Sequence, residues 1–377
     1  MCLIAARRYS SRMHGSTSAG ASPGVARLVD RHPTVSPERL IAQLRPPPTF
    51  ADVSFATYQP DPAEPTQAAA VLACQDFCRQ ATQRRAGRRK LLGRREVLPG
   101  VGLYLDGGFG VGKTHLLASA YYALPGQGPG GAPGGAPDGP PPKAFATFGE
   151  LTQLAGVFGF VECVDLLATY TAVCIDEFEL DDPGNTTLIA RLLSSLVERG
   201  VSVAATSNTL PEQLGEGRFA AQDFLREINT LASIFTTVRI EGPDYRHRGL
   251  PPAPQPLSDE QVAARAAQVD GATLDDFDAL CAHLATMHPS RYLTLIEGVR
   301  AVFLTGVHGI DDQNVALRLV SLTDRLYDAG IPVVASGTKL DTIFSDEMLA
   351  GGYRKKYLRA TSRLLALTAA ANPAREP

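Results

Sequence analysis

A run of glycines followed by a lysine and a threonine is the segment of this sequence whose residue types and spacing most clearly indicate chemistry. GGFGVGKT, residues 107–114, fits the pattern G-x-x-x-x-G-K-[ST]. Backbone amides must converge on phosphate oxygens in such a loop, and glycine permits this because it tolerates positive φ and lacks a side chain. The pattern therefore predicts a site for a nucleoside triphosphate.

The residues on either side of the loop agree with this interpretation. An apolar strand, residues 101–105, precedes it, and the apolar helical stretch HLLASAYYAL follows, so a helix N-terminus with its partial positive charge faces the phosphates. We expect Lys113 to neutralise the terminal phosphates and the Thr114 hydroxyl to reach a magnesium ion. The expected nucleotide contacts are Gly107, Gly108, Phe109, Gly110, Val111, Gly112, Lys113, Thr114 and His115.

Two further segments end in polar residues suited to hydrolysis. AVCIDEF supplies four apolar residues and then Asp176 and Glu177. An aspartate at the end of a buried strand beside the phosphate loop can hold Mg²⁺ and its hydration shell, and the following glutamate can polarise the attacking water. The next strand, VSVAATSN, ends in Asn208, whose side chain could orient that water.

An arginine that acts on the transferred phosphoryl group is a further expectation. Ring-forming ATPases often take this arginine from a neighbouring copy. The segment GEGRFAAQDFLREI offers Arg218 and Arg226, and the sequence does not decide between them or a plain surface role. A homo-oligomer is therefore left open.

The order of predicted elements gives the fold class and four regions. Strand, helix, strand and helix alternate, which predicts an α/β fold with a parallel sheet and helices on both faces. We predict a disordered N-terminal tail, an ATPase core, a linker and a C-terminal α/β region, at residues 1–50, 51–245, 246–260 and 261–370. Within the core, the Gly/Pro loop 125–142 is predicted to be disordered because it cannot pack.

The C-terminal region contains a candidate internal repeat. Residues 171–208 align with residues 300–338 once one residue is inserted, and both read strand, acidic pair, amphipathic helix, glycine and strand. The second copy has Thr305 and Gly306 where the first has Asp176 and Glu177, so we expect it to be structural. Any two strand–helix–strand units match in part, which leaves duplication open.

Composition excludes some classes of protein. No apolar run reaches the roughly 20 residues of a membrane helix, and the net charge of −3 gives no argument for a nucleic-acid or membrane partner. The six cysteines lack metal-site spacing and are interpreted as reduced thiols in the cytosol.

Residues 84–95 carry seven basic side chains, which indicate a solvated face or a contact with an acidic partner or phosphate. The first 29 residues hold four arginines and no acid, a weak hint of a transit peptide that the Ala/Gly/Pro/Arg bias of the chain explains more simply.

A guanine-nucleotide site is a competing interpretation. Thr338, Lys339 and Asp341 follow a predicted strand and imitate the guanine-selecting pattern [N/T]-K-x-D. However, no D-x-x-G follows the acidic strand, and the four residues lie in the other half of the chain from the phosphate loop.

Longer segments resemble the ZapE family of ATPases, the bacterial relatives of the mitochondrial AFG-like (lactation elevated) ATPases. The resemblance covers residues 50–370 and rests on LYLDGGFGVGKTHLL, CIDEFELDD, SNTLPEQL, RYLTLIEGV, SLTDRLYDAGIPVVASGT and YLRATSRLLAL. It implies a Mg²⁺-dependent ATPase with an AAA-like P-loop NTPase core, cytoplasmic or peripheral to the inner membrane. It assigns Lys113 and Thr114 to the nucleotide loop, Asp176 and Glu177 to the magnesium and water pair, and Asn208 to the sensor position.

One departure from the family pattern concerns the arginine. The family usually has G-L-Q-R-x-x-F-L, and here Phe224 and Leu225 place Ala221 where that arginine would fall, so Arg218 would have to act from one turn earlier. Bacterial members are linked to cell division at the FtsZ ring and organellar members to protein quality control. We therefore expect ATP-driven remodelling of a protein partner, most simply the division ring. The alternatives are a quality-control ATPase, a nucleic-acid-associated ATPase resembling a helicase loader, and a binding module in which ATP only switches the shape.

Overall fold

The described part of the chain comprises most of both predicted halves. The computed structural model describes residues 25–34, 36–86, 88–89, 95–126, 142–179, 183–211, 214, 224–243 and 255–371. Residues 1–24, nearly all of the Gly/Pro loop, Arg218 and most of the predicted linker lie outside the described residues. Within the described residues, no helix is both long and apolar enough to cross a membrane.

The first half is built on a five-stranded parallel sheet in the order β4-β5-β6-β3-β7, with a short antiparallel ribbon β1-β2 before it. These strands are β1 (Arg88–Arg89), β2 (Arg95–Glu96), β3 (Gly102–Gly107), β4 (Ala144–Thr147), β5 (Ala172–Asp176), β6 (Ser202–Ser207) and β7 (Phe235–Ile240). Every residue of β5 and β6 is buried. Strands covered on both faces read as continuous apolar runs, which is why AVCID and SVAATS show no polar alternation.

Helices cover both faces of this sheet, which confirms the predicted layer arrangement. They are α1 (Pro37–Ala42), α2 (Pro65–Ala86), α3 (Lys113–Ala123), α4 (Phe148–Phe158), α5 (Phe160–Leu167), α6 (Pro183–Glu198) and α7 (Leu225–Ile234). Successive residues of β3 point to opposite faces: Leu103 and Leu105 join the core under α2 and α3, and Tyr104 joins the core under α4 to α7.

The second half contains a three-stranded parallel sheet in the order β10-β9-β8. Its elements are α8 (Asp259–Ala266), β8 (Ala272–Asp276), α9 (Phe277–Ala285), α10 (Tyr292–Leu295), β9 (Ala301–Val307), α11 (Gln313–Ala329), β10 (Val333–Gly337), α12 (Asp346–Ala350) and α13 (Arg354–Ala371). The region starts inside the predicted linker, because Leu257 N–H donates to the Ala335 carbonyl and Ser258 caps α8. Both aligned segments form the same unit, two adjacent parallel strands joined by a helix.

The N-terminal tail is the element that the sequence mispredicts. The described residues of segment 25–50, here called the strap, are ordered, so the disorder predicted for them is wrong. Leu28 is buried in the core of the second half, whereas Leu40 and Leu44 are buried in the core of the first. The Asp275 carboxylate accepts hydrogen bonds from the backbone N–H groups of Leu28 and Val29. In the sequence, the short helices and prolines of the strap resemble a disordered tail. Its order comes from contacts with both halves.

Candidate active site

The phosphate loop connects β3 to α3, and two of its glycines are required for different reasons. Gly112 has φ +85°, and a Cβ there would lie 2.5 Å from the ring of Tyr58. A Cβ on Gly107 would lie 2.3 Å from the carbonyl oxygen of Ile240, because β7 runs alongside β3. The first position is dictated by backbone conformation and the second by the neighbouring strand.

Lys113 brings the loop and the end of β6 together. Its ammonium group is nearly buried and donates to the carbonyl oxygens of Gly107 (2.8 Å) and Gly108 (2.5 Å) and to Asn208 Oδ1 (2.8 Å). β3 and β6 are parallel neighbours, so their carboxyl ends lie at the same edge of the sheet. That edge is where ligands bind in open α/β sheets.

Thr114 and Asp176 also meet at this edge. The Thr114 hydroxyl donates to Asp176 Oδ1 at 3.2 Å, and the Thr206 hydroxyl donates to the same oxygen at 2.5 Å. Burial, followed by the neighbouring Glu177 carboxylate, raises the pKa of Asp176 against the opposing effect of the two hydroxyl donors. A carboxylate and a hydroxyl are the hard oxygen ligands that Mg²⁺ accepts, and a cation beside Asp176 would favour its ionised form. This pair therefore fits a magnesium ion.

Glu177 has an unusual backbone. Its φ of +53° is the one positive value recorded for a non-glycine residue in the described part of the chain. Such a conformation costs about 1–3 kcal/mol in a residue with a Cβ and is found where the surrounding structure enforces it, often at active sites. The Glu177 N–H donates to Thr206 Oγ1 at 3.1 Å, which holds this turn against β6.

Two arginines that the sequence analysis did not single out contact the Glu177 carboxylate. Arg363 Nη2 donates to Glu177 Oε1 at 2.9 Å, and Arg359 Nη2 lies 3.3 Å from Oε2. Both belong to α13 in the second half. Their signal was available in YLRATSRLLAL, where the two arginines are four residues apart and share one helix face.

The remaining predicted loop contacts differ in their surroundings. Phe109 is half-buried and borders the cleft beside the loop. Val111 is buried, and its carbonyl oxygen accepts a hydrogen bond from the Tyr58 hydroxyl. The His115 ring packs edge-on against Tyr58 and lies 2.9 Å from Thr57 Oγ1, and burial lowers its pKa. His115 thus contacts the segment that crosses over the loop.

The structure describes one of the two predicted arginines. Arg218 lies outside the described residues, and Arg226 is exposed in the first turn of α7. Residues 338–341, which resemble the guanine-selecting pattern, directly follow β10. This strand belongs to a different sheet from the strand that precedes the phosphate loop.

The cleft at this edge has a volume of about 1060 Å³ and lies between the two halves. The first half lines it with Lys113, Glu177 and Asn208, and the second with Asp324, Arg359 and Arg363. A parallel sheet in this strand order, with a glycine loop over its edge and an acidic pair on the strand beside it, defines a P-loop ATPase.

Comparison with known families agrees with this class. The model of the AFG1-like ATPase family matches residues 34–261 and 250–376, and the chain belongs to this family. It is 27% identical over 314 residues to cell division protein ZapE of Escherichia coli K12, covering 73% of this chain and 80% of that protein. It is 33% identical over 106 residues to lactation elevated protein 1 homolog B of Danio rerio, covering 28% of this chain and 21% of that protein.

Two solved structures are similar to this chain at a low level. DnaI is 18% identical with a TM-score of 0.37, covering 55% of this chain and 98% of that chain. Domain III of the replication initiation protein DnaA from Thermotoga maritima is 19% identical with a TM-score of 0.35, covering 52% and 69%. At these scores the similarity carries no argument about function.

Proposed function

We propose that this ATPase binds ATP with Mg²⁺ at the cleft and uses hydrolysis to remodel a protein partner, the FtsZ-type division ring. The observation that carries the catalytic part is the meeting of Lys113, Asn208, Thr114 and Asp176 at one sheet edge. Lys113 and Thr114 begin α3, which follows β3, while Asp176 ends β5 and Asn208 follows β6. Together they match the parts that phosphoryl transfer requires.

Each residue has a role in this proposal. The loop amides and Lys113 bind the phosphates, while Thr114 and Asp176 hold the metal, which supplies charge neutralisation at the transferred phosphoryl group. Glu177 polarises the attacking water, and Asn208 orients it. Arg218 of a neighbouring copy is retained as the proposed arginine acting in trans. That role requires turnover per chain to rise with protein concentration and Arg218→Ala to abolish the rise.

The proposed partner follows from the relative with the broader coverage. The similarity to cell division protein ZapE covers 73% of this chain, more than either half contains, and therefore includes part of both halves. A partner of this kind would place the protein in the cytoplasm, at the inner face of the membrane where a division ring forms.

Purified FtsZ filaments provide the test. ATP turnover and filament light scattering are measured together, with the wild-type chain and with Lys113→Ala, which removes the cation at the terminal phosphates. We expect filaments to raise the ATP turnover of the wild-type chain and their light scattering to fall as ATP is hydrolysed. With Lys113→Ala, neither turnover nor scattering should change. If filaments do not change the turnover rate and ATP hydrolysis does not change the filaments, the proposed partner is wrong. If Lys113→Ala hydrolyses ATP at the wild-type rate, the proposed site is wrong.

A further inference from the structure

One face of α13 lies along the carboxyl ends of β5 and β6. This face carries four basic residues, two consecutive lysines followed by two arginines at intervals of about one turn. Each contacts a residue that follows one of those strands. The contacts are Lys355 Nζ with the Asn208 carbonyl at 2.6 Å, Lys356 with Glu179 at 3.9 Å, Arg359 with Glu177 at 3.3 Å and with Glu179 at 3.9 Å, and Arg363 with Glu177 at 2.9 Å. The second half thus reaches the residues to which hydrolysis is assigned.

Both oxygens of the Glu177 carboxylate are engaged in this way. Arg363 approaches Oε1 and Arg359 approaches Oε2. A glutamate side chain has three rotatable bonds, and contacts at both oxygens restrict them together. Glu177 has a positive φ at the end of β5, and the contacts with the two arginines fix the position of its carboxylate.

Asp324 of α11 holds the two arginines in turn. Its Oδ2 accepts from Arg359 Nη2 at 2.9 Å, and its Oδ1 accepts a short hydrogen bond from Arg363 Nη1. The Arg363 guanidinium also stacks over the Tyr327 ring, 5.2 Å from its centre. Arginine suits this position because its rigid fork can bridge two carboxylates at once.

Stability does not account for this cluster. Only 6% of the surface of each arginine is exposed, and replacing buried ion pairs by apolar residues is often neutral or stabilising. Among the described residues, the Nε atoms of both arginines are buried without a hydrogen-bond partner, which adds a further cost. A buried cluster that apolar packing could replace without loss of stability, and that contacts the water-polarising group, points to a role in the reaction.

We propose that Arg363 and Arg359 are positioning residues of ATP hydrolysis. Anchored by Asp324, they fix the Glu177 carboxylate where it polarises the attacking water, so the C-terminal half supplies positioning residues to the ATPase site of its own chain. This inference rests on the role of Glu177 under the proposed function.

Steady-state turnover of the full-length chain tests the inference. Arg363→Gln is expected to lower kcat by about 30- to 100-fold, the loss typical of a misplaced reacting group. The KM and Kd for Mg·ATP should stay within about twofold, because Arg363 contacts Asp324, Glu177 and Tyr327 rather than the phosphate loop that sets binding. Arg363→Lys should be intermediate, since an ammonium keeps the charge but cannot bridge Asp324 and Glu177.

Arg325→Gln is the matched control. Arg325 also joins α11 to the first half, through Glu150 at 3.0 Å, but its hydrogen bonds and ion pairs do not involve Glu177. Its kcat should stay within about threefold of wild type, because Arg325 joins the same two halves without contacting Glu177. An equal loss of kcat in Arg325→Gln and Arg363→Gln would mean that docking of the halves matters, and would overturn the positioning role.

A double-mutant cycle separates this inference from the proposed function. If Arg363 acts through Glu177, adding Arg363→Gln to Glu177→Gln should lower kcat no further. The inference is overturned if Arg363→Gln lowers kcat as much in the Glu177→Gln background as it does alone, or if Arg363→Gln alone keeps wild-type kcat. In either case a low kcat in Glu177→Gln still supports the role of Glu177. Wild-type turnover in Glu177→Gln would instead remove the role on which the inference rests. Mg·ATP binding by calorimetry verifies that each variant is folded.

Discussion

The unit β5–α6–β6 of the first half and the unit β9–α11–β10 of the second share a backbone but not a chemistry. The Glu177 N–H donates to Thr206 Oγ1 at 3.1 Å, and the Gly306 N–H donates to Ser336 Oγ at the same distance. Both donors have positive φ, +53° and +67°. At this left-handed position the second unit has a glycine, which adopts positive φ without strain. The first unit has a glutamate there, whose Cβ makes the conformation strained.

Charged residues occupy different parts of the two units. In the first, Asp176 ends β5 and Glu177 follows it; in the second, Thr305 and Gly306 occupy the matching positions near the end of β9. Six residues before the glycine that ends each helix, α6 has Ser194 and α11 has Asp324. The prediction that the second copy is only structural is therefore incomplete, because its helix supplies the anchor for the arginines at Glu177. The second unit thus contacts the arginines at the site through its helix, although its strand end carries no acidic pair.

The largest expected effect separates the two strand ends. Asp176→Thr, which makes the first unit resemble the second, should lower kcat/KM by about 100-fold or more, because metal stabilisation of transition-state charge is worth several kcal/mol. Since burial raises the pKa of Asp176, a neutral residue there should not weaken folding, and thermal unfolding verifies this. Thr305→Ala at the equivalent position is the control and should retain wild-type turnover. A comparable loss in both variants would remove the distinction between the strand ends.

The next effect concerns pH and the helix of the second unit. Burial raises the pKa of Asp328 to about 7 from 3.8, although Arg363 and Arg325 oppose the rise and Glu177 and Asp324 add to it. Between these two values the folded chain binds a proton that the unfolded chain does not, so the free energy of unfolding should fall as pH rises. Asp328→Asn mimics the protonated form and should remove this decline.

Urea unfolding at pH 5 and pH 8 measures the effect. The stability of Asp328→Asn relative to wild type should increase from the lower to the higher pH. Glu198, at the equivalent place in α6, is exposed, and Glu198→Gln should show no such change. A pH-independent difference for Asp328→Asn would contradict the shifted pKa.

The smallest effect tests the shared turn. Alanine should be less stable than glycine by about 1 kcal/mol at both Glu177 and Gly306, because a Cβ penalises left-handed backbone. The comparison at position 177 uses Glu177→Ala against Glu177→Gly, which both lack the carboxylate and so isolate the backbone. Gly306→Ala has room for the added carbon, whose nearest neighbour is Asp276 at 3.7 Å. Chemical unfolding should give similar differences at the two positions, and a difference at only one of them would mean that the turns are not equivalent.

Local patterns account for the parts of the site that were predictable. The phosphate loop is a contiguous motif, and Asp176, Glu177 and Asn208 each follow an apolar strand, so strand period and parallel pairing were enough to bring them together. The strap failed as a prediction because its six-residue helix α1 is too short to be recognised without the cores into which Leu40 and Leu44 pack.

The sequence alone therefore determined the nucleotide loop, the acidic strand end and the layered α/β fold, because each is encoded within a short stretch of chain. Only the tertiary structure decided which cations meet Glu177. Arg363 lies 186 positions away from it, and no local pattern specifies a contact over that separation. The physical reason is that such contacts depend on how two separately packed sheets dock, which is a property of their joint surface and of the strap that ties them.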